Sequence, residues 1–246
     1  MKIFAISGSP RENSFTDKML NSFVEGLGAA VQISKFYPHK MEIGHCIGCL
    51  TCWTKTKGVC CFRDDMDKIL PEIQSADIVI LAFSLFVDGI PSHVKKVLDR
   101  MIPLLKGGMY IDKDGHTRHF IRKPKTQKAI LISSCGFPEL DNFNAVKTHF
   151  EAICKNTQWI PSGYIFIPAA GAKARPQIAK KLDIIKEAGR TLVQQGKVSE
   201  SLEQEIGKEV IDRDLYRAIA TANFEGKPFE VIKGLFSATV SRFKKK

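Results

Sequence analysis

The stretch "KIFAISGSPRENSFT", residues 2–16, joins a short apolar run to a polar loop and the start of a helical pattern. Residues 2–7 have the apolar character of a strand, and residues 17–27 have helical spacing. Serines, a glycine, a proline and one arginine lie between them. This order of strand, polar loop and helix is typical of the first unit of an α/β protein.

Four further apolar runs follow along the chain, and each has the length and composition of a strand. They cover residues 30–38, 77–83, 128–137 and 163–170. The run "DIVILAF" at residues 77–83 is continuously apolar, which is typical of an interior parallel strand buried on both faces. Helical patterns lie at residues 64–75, 91–105, 141–155 and 179–195. The alternation predicts an α/β fold, a doubly wound five-stranded parallel sheet with helices on both faces.

One segment departs from this alternation. Residues 109–121 hold two mixed runs on either side of Asp114-Gly115, a dipeptide that favours a tight hairpin turn. The acidic residues around this turn resemble a calcium loop, but Lys123 stands where such a loop needs a bidentate carboxylate. We therefore expect a hairpin that does not bind calcium.

The pattern changes to helical and charged near residue 196. We predict one domain over residues 1–195 and a helical C-terminal extension over residues 196–246. Near the end of the chain, Phe236, Val240 and Phe243 have roughly helical spacing beside basic residues. Such a stripe could touch a membrane surface, but packing against the domain or a partner subunit is the favoured interpretation.

Charge and composition exclude several classes of protein. The chain of 246 residues carries a formal net charge of +11, dispersed along the sequence. Basic and aromatic residues do not interleave as nucleic-acid stacking platforms require, so we predict no specific nucleic-acid partner and an affinity for phosphorylated cofactors. The longest apolar run, residues 78–83, is too short for a transmembrane segment. The first ten residues do not resemble a secretory signal, and the predicted location is the cytoplasm.

The loop after the first strand has the parts of a phosphate site. It combines hydroxyl groups, flexible backbone and Arg11 with the N-terminus of a helix, where unpaired N–H groups and the helix dipole favour anions. The lysine of an ATP-binding P-loop and the pattern G-x-G-x-x-G are both absent from this loop. The residues alone leave two interpretations open, a phosphate site or an ordinary helix start capped by Ser14 or Thr16.

The segment "CIGCLTCWTKTKGVCC", residues 46–61, contains five of the seven cysteines. Thiols stay reduced in the cytoplasm, so disulfide bonds are the least favoured interpretation. The spacing of Cys46, Cys49, Cys52 and Cys60 is typical of iron-sulfur ligation. Zinc is less favoured, because structural zinc sites use separated C-x2-C pairs. The residues leave a metal site or a redox-active loop open.

Several motifs occur together in a recognisable order. "GSPRENSFT" is followed by "CIGCLTCW", "DDM", "KKVLDR" and "SSCGFPE". In this order they resemble the flavodoxin-like NAD(P)H-dependent FMN reductases, and especially their iron-sulfur flavoprotein branch. The resemblance covers residues 1–170 and implies a flavodoxin-like fold that binds FMN.

The resemblance implies cofactor contacts from three loops. Those of the first loop are Ser9, Arg11, Ser14, Phe15 and Thr16, which surround the phosphate. Those of the second and third loops are Ser84, Leu85, Phe86, Val87, Ser134, Cys135, Gly136 and Phe137, which approach the flavin ring. The chain departs from the family pattern in places: many members have asparagine at the position of Phe15, and proline and tyrosine are usual at those of Ser84 and Phe86.

The resemblance also implies a 4Fe-4S cluster held by Cys46, Cys49, Cys52 and Cys60, with Cys61 as a spare or substitute ligand. The family contains reductases with similar cysteine-rich loops and no cluster. A metal-free loop near the flavin therefore remains open, and zinc remains a third interpretation.

The function that the resemblance implies is an FMN-dependent oxidoreductase. NAD(P)H delivers hydride to the flavin, and the acceptor is a quinone, a nitro or azo compound, free flavin or another molecule. No side-chain acid or base is required, so we name no catalytic residue. The alternative from another class is a non-enzymatic electron carrier that exchanges electrons with a ferredoxin-like redox protein. A third is an empty flavodoxin-like fold that senses metal or nucleic acid.

Three lesser expectations complete the prediction. The resemblance implies a homodimer or homotetramer in which neighbouring chains complete each site. His45 and His93 are weak candidates for substrate contact, since a lone histidine is more often a structural residue. Asp64 and Asp65 stand at a predicted helix start, where carboxylates cap N–H groups and complement the dipole, and we interpret them as structural.

Overall fold

The computed structural model describes residues 1–11, 13–172 and 176–226. Its strands are β1 (Lys2–Ser7), β2 (Gln32–Phe36), β3 (Ile78–Ser84), β4 (Leu105–Ile111), β5 (Thr117–Ile121), β6 (Gln127–Ser134) and β7 (Trp159–Ile167). Its helices are α1 (Phe15–Gly26), α2 (Thr51–Thr54), α3 (Met66–Ser75), α4 (Ser92–Asp99), α5 (Asn144–Thr157), α6 (Pro176–Gln195), α7 (Glu200–Gly207) and α8 (Arg213–Glu225).

Five strands form one parallel sheet in the order β2-β1-β3-β6-β7. Counted within the sheet, this is the strand order 2-1-3-4-5 of flavodoxin-like folds. The predicted fold class is confirmed. In such sheets ligands bind outside the carboxyl ends of the strands, where the winding direction reverses. Here that point lies between β1 and β3.

The sheet separates two apolar layers. Alternate residues of β1 point to opposite layers: Phe4 packs with residues of α3, α4 and α5, whereas Ile3 packs with residues of α1 and α6. The continuous apolar run in β3 is explained by this position, because its first six residues are buried. Helices α1 and α6 approach closely at Gly26, where an added Cβ would lie 1.9 Å from the backbone oxygen of Lys186.

The predicted hairpin is confirmed as the antiparallel pair β4 and β5, with Gly115 in the turn at a φ of +81°. One boundary differs from the prediction. The helix expected over residues 91–105 ends at Asp99, and a short 3-10 turn, Ile102–Leu104, leads directly into β4. Pro103 lies in this turn and cannot donate to a continuing helix.

The described part of the chain after α6, up to residue 226, contains the helices α7 and α8, as the sequence predicts. Helix α7 packs against β7 and α6, and Val198 and Ile206 are buried in the same layer as Ile3. The domain boundary near residue 196 stays a prediction. The apolar stripe of Phe236, Val240 and Phe243 lies outside the described residues. In the described parts of the chain, no helix has both the length and the apolar character to cross a membrane.

Candidate functional site

The three predicted cofactor loops meet at the carboxyl edge of the sheet. The register pairs Ser7 of β1 with Ala82 of β3, and Ser84 of β3 with Ser134 of β6, so the loops leave side by side. They border a first cavity of about 630 Å³, which we call the hydroxyl cavity. It is lined by Ser9, Arg11, Asn13, Ser14, Phe15, Thr16, Lys18, Ser84, Ser134, Ala170, Gly171, Ile178, Ala179 and Leu182.

The carboxylate of Asp17 holds the two ends of the first loop together. Its carboxylate, 2% exposed, accepts hydrogen bonds from Ser7 Oγ at 2.6 Å and from Ser14 Oγ at 3.2 Å, and pairs with Lys35 Nζ at 3.2 Å. Burial opposes ionisation, but the hydrogen bond from Ser7 and the charge of Lys35 outweigh it, so the pKa of Asp17 is lowered. The loop is therefore anchored to an ionised carboxylate.

Ser14 begins helix α1 and accepts a hydrogen bond from the backbone N–H of Asp17 at 3.1 Å. The N–H groups of Phe15 and Thr16, in the first turn, have no partner among the described residues. Both residues line the hydroxyl cavity. The two interpretations of the loop are thus compatible, since Ser14 caps the helix and leaves other donors available to an anion.

Gly8 lies where β1 passes into the first loop. A Cβ there would be 2.6 Å from Val94 Cγ2 and 2.8 Å from Phe83 Cβ, so a larger residue would push the loop outward. His93 Nε2 donates to the Gly8 carbonyl at 2.7 Å. His93 therefore supports the backbone of the first loop, and this contact identifies the nitrogen that carries the proton.

A chain of hydroxyl groups crosses the floor of the hydroxyl cavity. Thr16 Oγ1 lies 3.2 Å from Ser84 Oγ, which lies 2.9 Å from Ser134 Oγ. These side chains come from α1, β3 and β6, and Thr16 and Ser134 are buried. Hydroxyls both donate and accept, so this floor suits a polyhydroxylated or phosphorylated ligand.

The second loop forms a tight turn with strained backbone. Phe86 and Gly89 exchange hydrogen bonds in both directions at 3.2 Å, which leaves Val87 and Asp88 at the tip. Both have positive φ, 47° and 58°. A β-branched residue rarely adopts this conformation. Val87 is also 99% exposed, so no packing of the described residues around its side chain stabilises the turn.

The third loop borders a second cavity of about 300 Å³, which we call the ring cavity. It is lined by Leu85, Val87, Asp88, Cys135, Gly136, Phe137 and Asn142. The backbone N–H of Gly136 has no partner among the described residues, and the backbone N–H of Phe137 interacts with the Cys135 thiol. Burial raises the pKa of Cys135 to about 11, so its thiol stays protonated and is not a reactive thiolate at neutral pH.

The two cavities collect twelve of the thirteen predicted cofactor residues. Phe86 lines neither cavity, and its ring lies against His93 with the centroids 6.2 Å apart. Sequence reasoning missed residues that follow β7 or lie on α6, including Gly171 and Ile178. The rule that ligands gather at the carboxyl ends of parallel strands could have pointed to the loop after β7.

The cysteine segment lies outside the sheet, between β2 and α3. Hydrogen bonds from Asp64 and Asp65 to Glu42 and Gly44 join its two ends, and we call this set of bonds the staple. Asp65 and Glu42 exchange hydrogen bonds at 2.9 and 3.0 Å across the base. Asp64 accepts the N–H of Gly44 at 3.0 Å and that of Met66 at 3.0 Å. Asp64 thus caps an N–H group at the start of α3, as predicted, whereas the Asp65 carboxylate binds Glu42 and makes no cap at this helix. Both aspartates hold the cysteine segment against the domain.

Arg100 is buried beneath this staple with 1% of its side chain exposed. Its guanidinium pairs with both carboxylate oxygens of Asp64 at 2.7 and 3.1 Å and donates to the Gly44 carbonyl at 2.9 Å. Burial opposes ionisation of Arg100, but Asp64 and the neighbouring Cys60 raise its pKa. Burial opposes ionisation of Asp64, but the hydrogen bonds from Arg100, Gly44 and Met66 leave its pKa lowered.

Five thiols line one small space together with Arg100: Cys46, Cys49, Cys52, Cys60 and Cys61. Cys49 Sγ lies 3.6 Å from Cys61 Sγ. Hydrogen bonds from Thr51 lower the pKa of Cys49. Burial raises the pKa of Cys52, and the neighbouring Cys60 and Cys49 raise it further, which reflects how close the thiols are.

The arrangement of the thiols distinguishes between kinds of metal site. Among the described residues, no three histidine, cysteine or acidic side chains are positioned to hold a single metal ion. A cubane cluster places its thiolates farther apart than one ion does, and a ring of four or five thiols around a common space fits it better. That space is about 20 Å³, room for roughly one water, so the thiols must move apart to admit a cluster.

Helix α4 joins the first loop to the cysteine segment. His93, in its first turn, contacts the Gly8 carbonyl of the first loop, whereas Asp99 and Arg100, at its end, line the space between the thiols. A helix of eight residues is about 12 Å long, so these two contacts lie roughly that far apart.

Comparisons with known proteins agree with this geometry. The chain is 28% identical to an iron-sulfur flavoprotein of Archaeoglobus fulgidus over 217 residues. The aligned residues are 87% of this chain and 86% of that protein. It is 32% identical over 116 residues to an iron-sulfur flavoprotein of Methanocaldococcus jannaschii, over 47% of this chain and 59% of that protein.

Solved structures show the same fold at low identity. An FMN-dependent NADH-azoreductase of Bacillus anthracis in complex with FMN superimposes with a TM-score of 0.59 at 16% identity, over 78% of this chain and 100% of that chain. An NAD(P)H:quinone oxidoreductase of Methanothermobacter marburgensis gives a TM-score of 0.58 at 17% identity, over 78% of this chain and 96% of that chain. Residues 1–133, more than half of the 246, match the family model of NADPH-dependent FMN reductases. The chain belongs to this family of flavin oxidoreductases, with FMN as cofactor and NAD(P)H as electron donor.

Proposed function

We propose that this chain binds FMN across the hydroxyl and ring cavities and uses it to pass electrons from NAD(P)H to a small-molecule acceptor. The observation that carries the proposal is the set of unpartnered backbone N–H groups in loops that meet at one edge of the sheet. They belong to Phe15, Thr16 and Gly136. An anionic, polyhydroxylated ligand with a polar ring satisfies donors arranged in this way.

Each part of the cavity has a role in this proposal. The N-terminus of α1 and Arg11 bind the phosphate, and the hydroxyls of Thr16, Ser84 and Ser134 bind the ribityl chain. The N–H of Gly136 donates to the ring. Bound FMN supplies the redox chemistry, while the protein orients it and limits the access of water.

The open side of the ring cavity supports a flat, apolar acceptor. Two residues of its lining, Phe137 and Val87, are 66% and 99% exposed and form an apolar rim. A quinone, a nitro or azo compound, or a free flavin would stack against such a rim, as aromatic ligands do. The same exposed rim supports a homodimer or homotetramer, because contiguous exposed apolar residues mark interfaces. Light scattering after size exclusion tests this assembly.

We further infer that Cys46, Cys49, Cys52 and Cys60 hold a 4Fe-4S cluster. The shared space between the thiols and the buried cation of Arg100 beside Cys60 support it, since a nearby cation stabilises thiolate ligands. The relatives named as iron-sulfur flavoproteins support it as well. A reducing compartment such as the cytoplasm suits this chemistry, and that location stays a prediction.

The first experiment is a spectrum of protein purified without oxygen, with iron and sulfide assays on the same sample. We expect flavin absorption bands and about four irons per chain. NADH and NADPH oxidation is then measured with a quinone, an azo dye and ferredoxin as acceptors. Turnover with small molecules supports the reductase, whereas reduction by ferredoxin without NAD(P)H oxidation would contradict it.

A matched pair of variants tests the position of the phosphate. Ser14 and Ser199 both cap helices, α1 and α7, by accepting a backbone N–H. Ser14→Ala and Ser199→Ala should each lower stability by about 1 kcal/mol. Only Ser14→Ala should weaken FMN binding, by roughly tenfold, because a charge-assisted donor set is lost with the loop. Equal FMN affinity in both variants would place the phosphate elsewhere.

A further inference from the structure

The C-terminal extension contacts the third loop through Tyr216 of helix α8. Its hydroxyl donates to the Gly136 carbonyl at 2.6 Å. Asp212 caps α8 by accepting the N–H of Leu215 at 3.0 Å, which fixes the turn that carries Tyr216. The hydrogen bond joins residues 80 positions apart and ends on a loop that borders the ring cavity.

Gly171 provides the space for this contact. A Cβ at Gly171 would lie 2.7 Å from the Tyr216 hydroxyl, closer than such atoms approach in proteins. Gly171 lines the hydroxyl cavity, whereas Gly136 lines the ring cavity. The Tyr216 hydroxyl therefore lies between the two halves of the flavin site, in contact with a loop from each.

Two other contacts from the extension reach the same loop. Arg217 Nη1 pairs with Glu139 at 3.6 Å. A Cβ at Gly207, the last residue of α7, would lie 3.2 Å from Leu140 Cδ1. Both pairs touch the turn that follows Phe137, so the extension holds the third loop along its length.

The third loop needs this support because one of its backbone donors, the N–H of Gly136, has no partner among the described residues. The N–H of Phe137 interacts with the Cys135 thiol, and the Gly136 carbonyl is bonded to Tyr216. That bond fixes the peptide that joins Gly136 to Phe137, and with it the direction of the Phe137 N–H. Because a peptide is planar, one end cannot turn without the other.

We propose that Tyr216 is a positioning residue of the flavin site, and that the C-terminal extension is a structural part of that site. The inference rests on the proposed FMN site. The inference is tested by measuring the affinity for FMN and the spectrum of the bound flavin. Both should change when the third loop moves, since hydrogen bonds to the ring tune the electronic properties of the flavin. Tyr216 acts through the third loop and makes no contact with reacting atoms in this proposal.

The test is a fluorescence titration of cofactor-depleted protein with FMN. Tyr216→Phe should raise the dissociation constant about fivefold, the change that one neutral hydrogen bond produces, and shift the visible bands of the bound flavin. Gly171→Ala, which displaces the ring while keeping its hydroxyl, should have the same effects. The matched control is Tyr110→Phe, which removes the hydroxyl that accepts from Gln158 Nε2 at 2.8 Å, away from both cavities.

The outcomes separate this inference from the function on which it rests. Wild-type protein that fails to bind FMN overturns the proposed function, and the inference with it. Wild-type protein that binds FMN while Tyr216→Phe has the same dissociation constant and spectrum overturns the inference alone. Equal losses in Tyr216→Phe and Tyr110→Phe also overturn it, because they indicate general destabilisation. Loss in Tyr216→Phe and Gly171→Ala only, at unchanged melting temperature, supports it.

Discussion

The two cavities and the cysteine segment offer different parts of the polypeptide to the ligands that we propose for them. Around the cavities, backbone N–H groups are available beside side-chain hydroxyls, in loops whose ends are fixed by parallel strands in register. In the cysteine segment, the proposed ligand groups are side chains on an irregular stretch outside the sheet. A backbone N–H remains when its residue is replaced by any residue except proline, whereas a thiolate is lost whenever the cysteine is replaced.

The supports of the two regions differ in the same way. Hydrogen bonds between β1, β3 and β6 hold the ends of the cavity loops, so the loss of one bond leaves the other bonds in place. The cysteine segment depends on a staple built around one buried ion pair, Arg100 with Asp64. We therefore expect graded losses from substitutions at the cavities and all-or-none losses in the cysteine segment.

Replacement of Cys60 by serine should have the largest effect, the loss of the proposed cluster. Three thiolates would remain for a cluster that needs four. Iron should fall from about four per chain to near zero in Cys60→Ser and stay near four in Cys61→Ser, with FMN content unchanged in both. Iron lost in Cys61→Ser but kept in Cys60→Ser would assign the fourth ligand to Cys61. Iron kept in both variants would show that neither cysteine is required as a ligand.

Removal of the Asp64 carboxylate should have the largest effect on stability. Asp64→Ala leaves the guanidinium of Arg100 buried without its partner, which costs about 3–5 kcal/mol in the free energy of unfolding. The control is Asp67→Ala, which removes an exposed pair with Arg63 and should cost less than about 1 kcal/mol. Urea unfolding measures both. Equal costs would show that the staple does not depend on the buried pair.

Asp17 should make the stability of the domain depend on pH. Its pKa in the folded chain is lowered, so its contribution is present above the unfolded pKa, roughly 3.9, and is lost as the pH falls through the folded value. Asp17→Asn should lower stability by about 1.5–3 kcal/mol at neutral pH and by less below pH 3. Ser7→Ala, which removes one donor, should give an intermediate loss. Parallel pH profiles for wild type and Asp17→Asn would contradict this assignment.

The sequence predicts much of this arrangement, and the exceptions have a common cause. Continuous apolar runs such as residues 78–83 must be buried on both faces, so the strands and the edge where their loops meet follow from pattern alone. The partners of Asp64 and Gly136 do not follow, because Arg100 and Tyr216 lie 36 and 80 positions away. A single sequence does not indicate which arginine is buried or which tyrosine reaches back to a loop.

Relief of strain at Val87 should have the smallest effect, and it tests whether the cavity loops are built for stability. A left-handed conformation costs an ordinary side chain about 1–2 kcal/mol, and asparagine tolerates it better than valine. Val87→Asn should therefore raise the free energy of unfolding by about 1 kcal/mol, because the exposed valine makes few contacts that the change could remove. The control is Val59→Asn, at another exposed valine without a positive φ, which should not stabilise the chain.

If Val87→Asn is neutral or destabilising, then a contact outside the described chain, such as a second subunit or the bound flavin, holds this turn. If it is stabilising but weakens turnover with a quinone, the valine at the rim serves acceptor binding at the expense of stability, as strained residues at functional sites do.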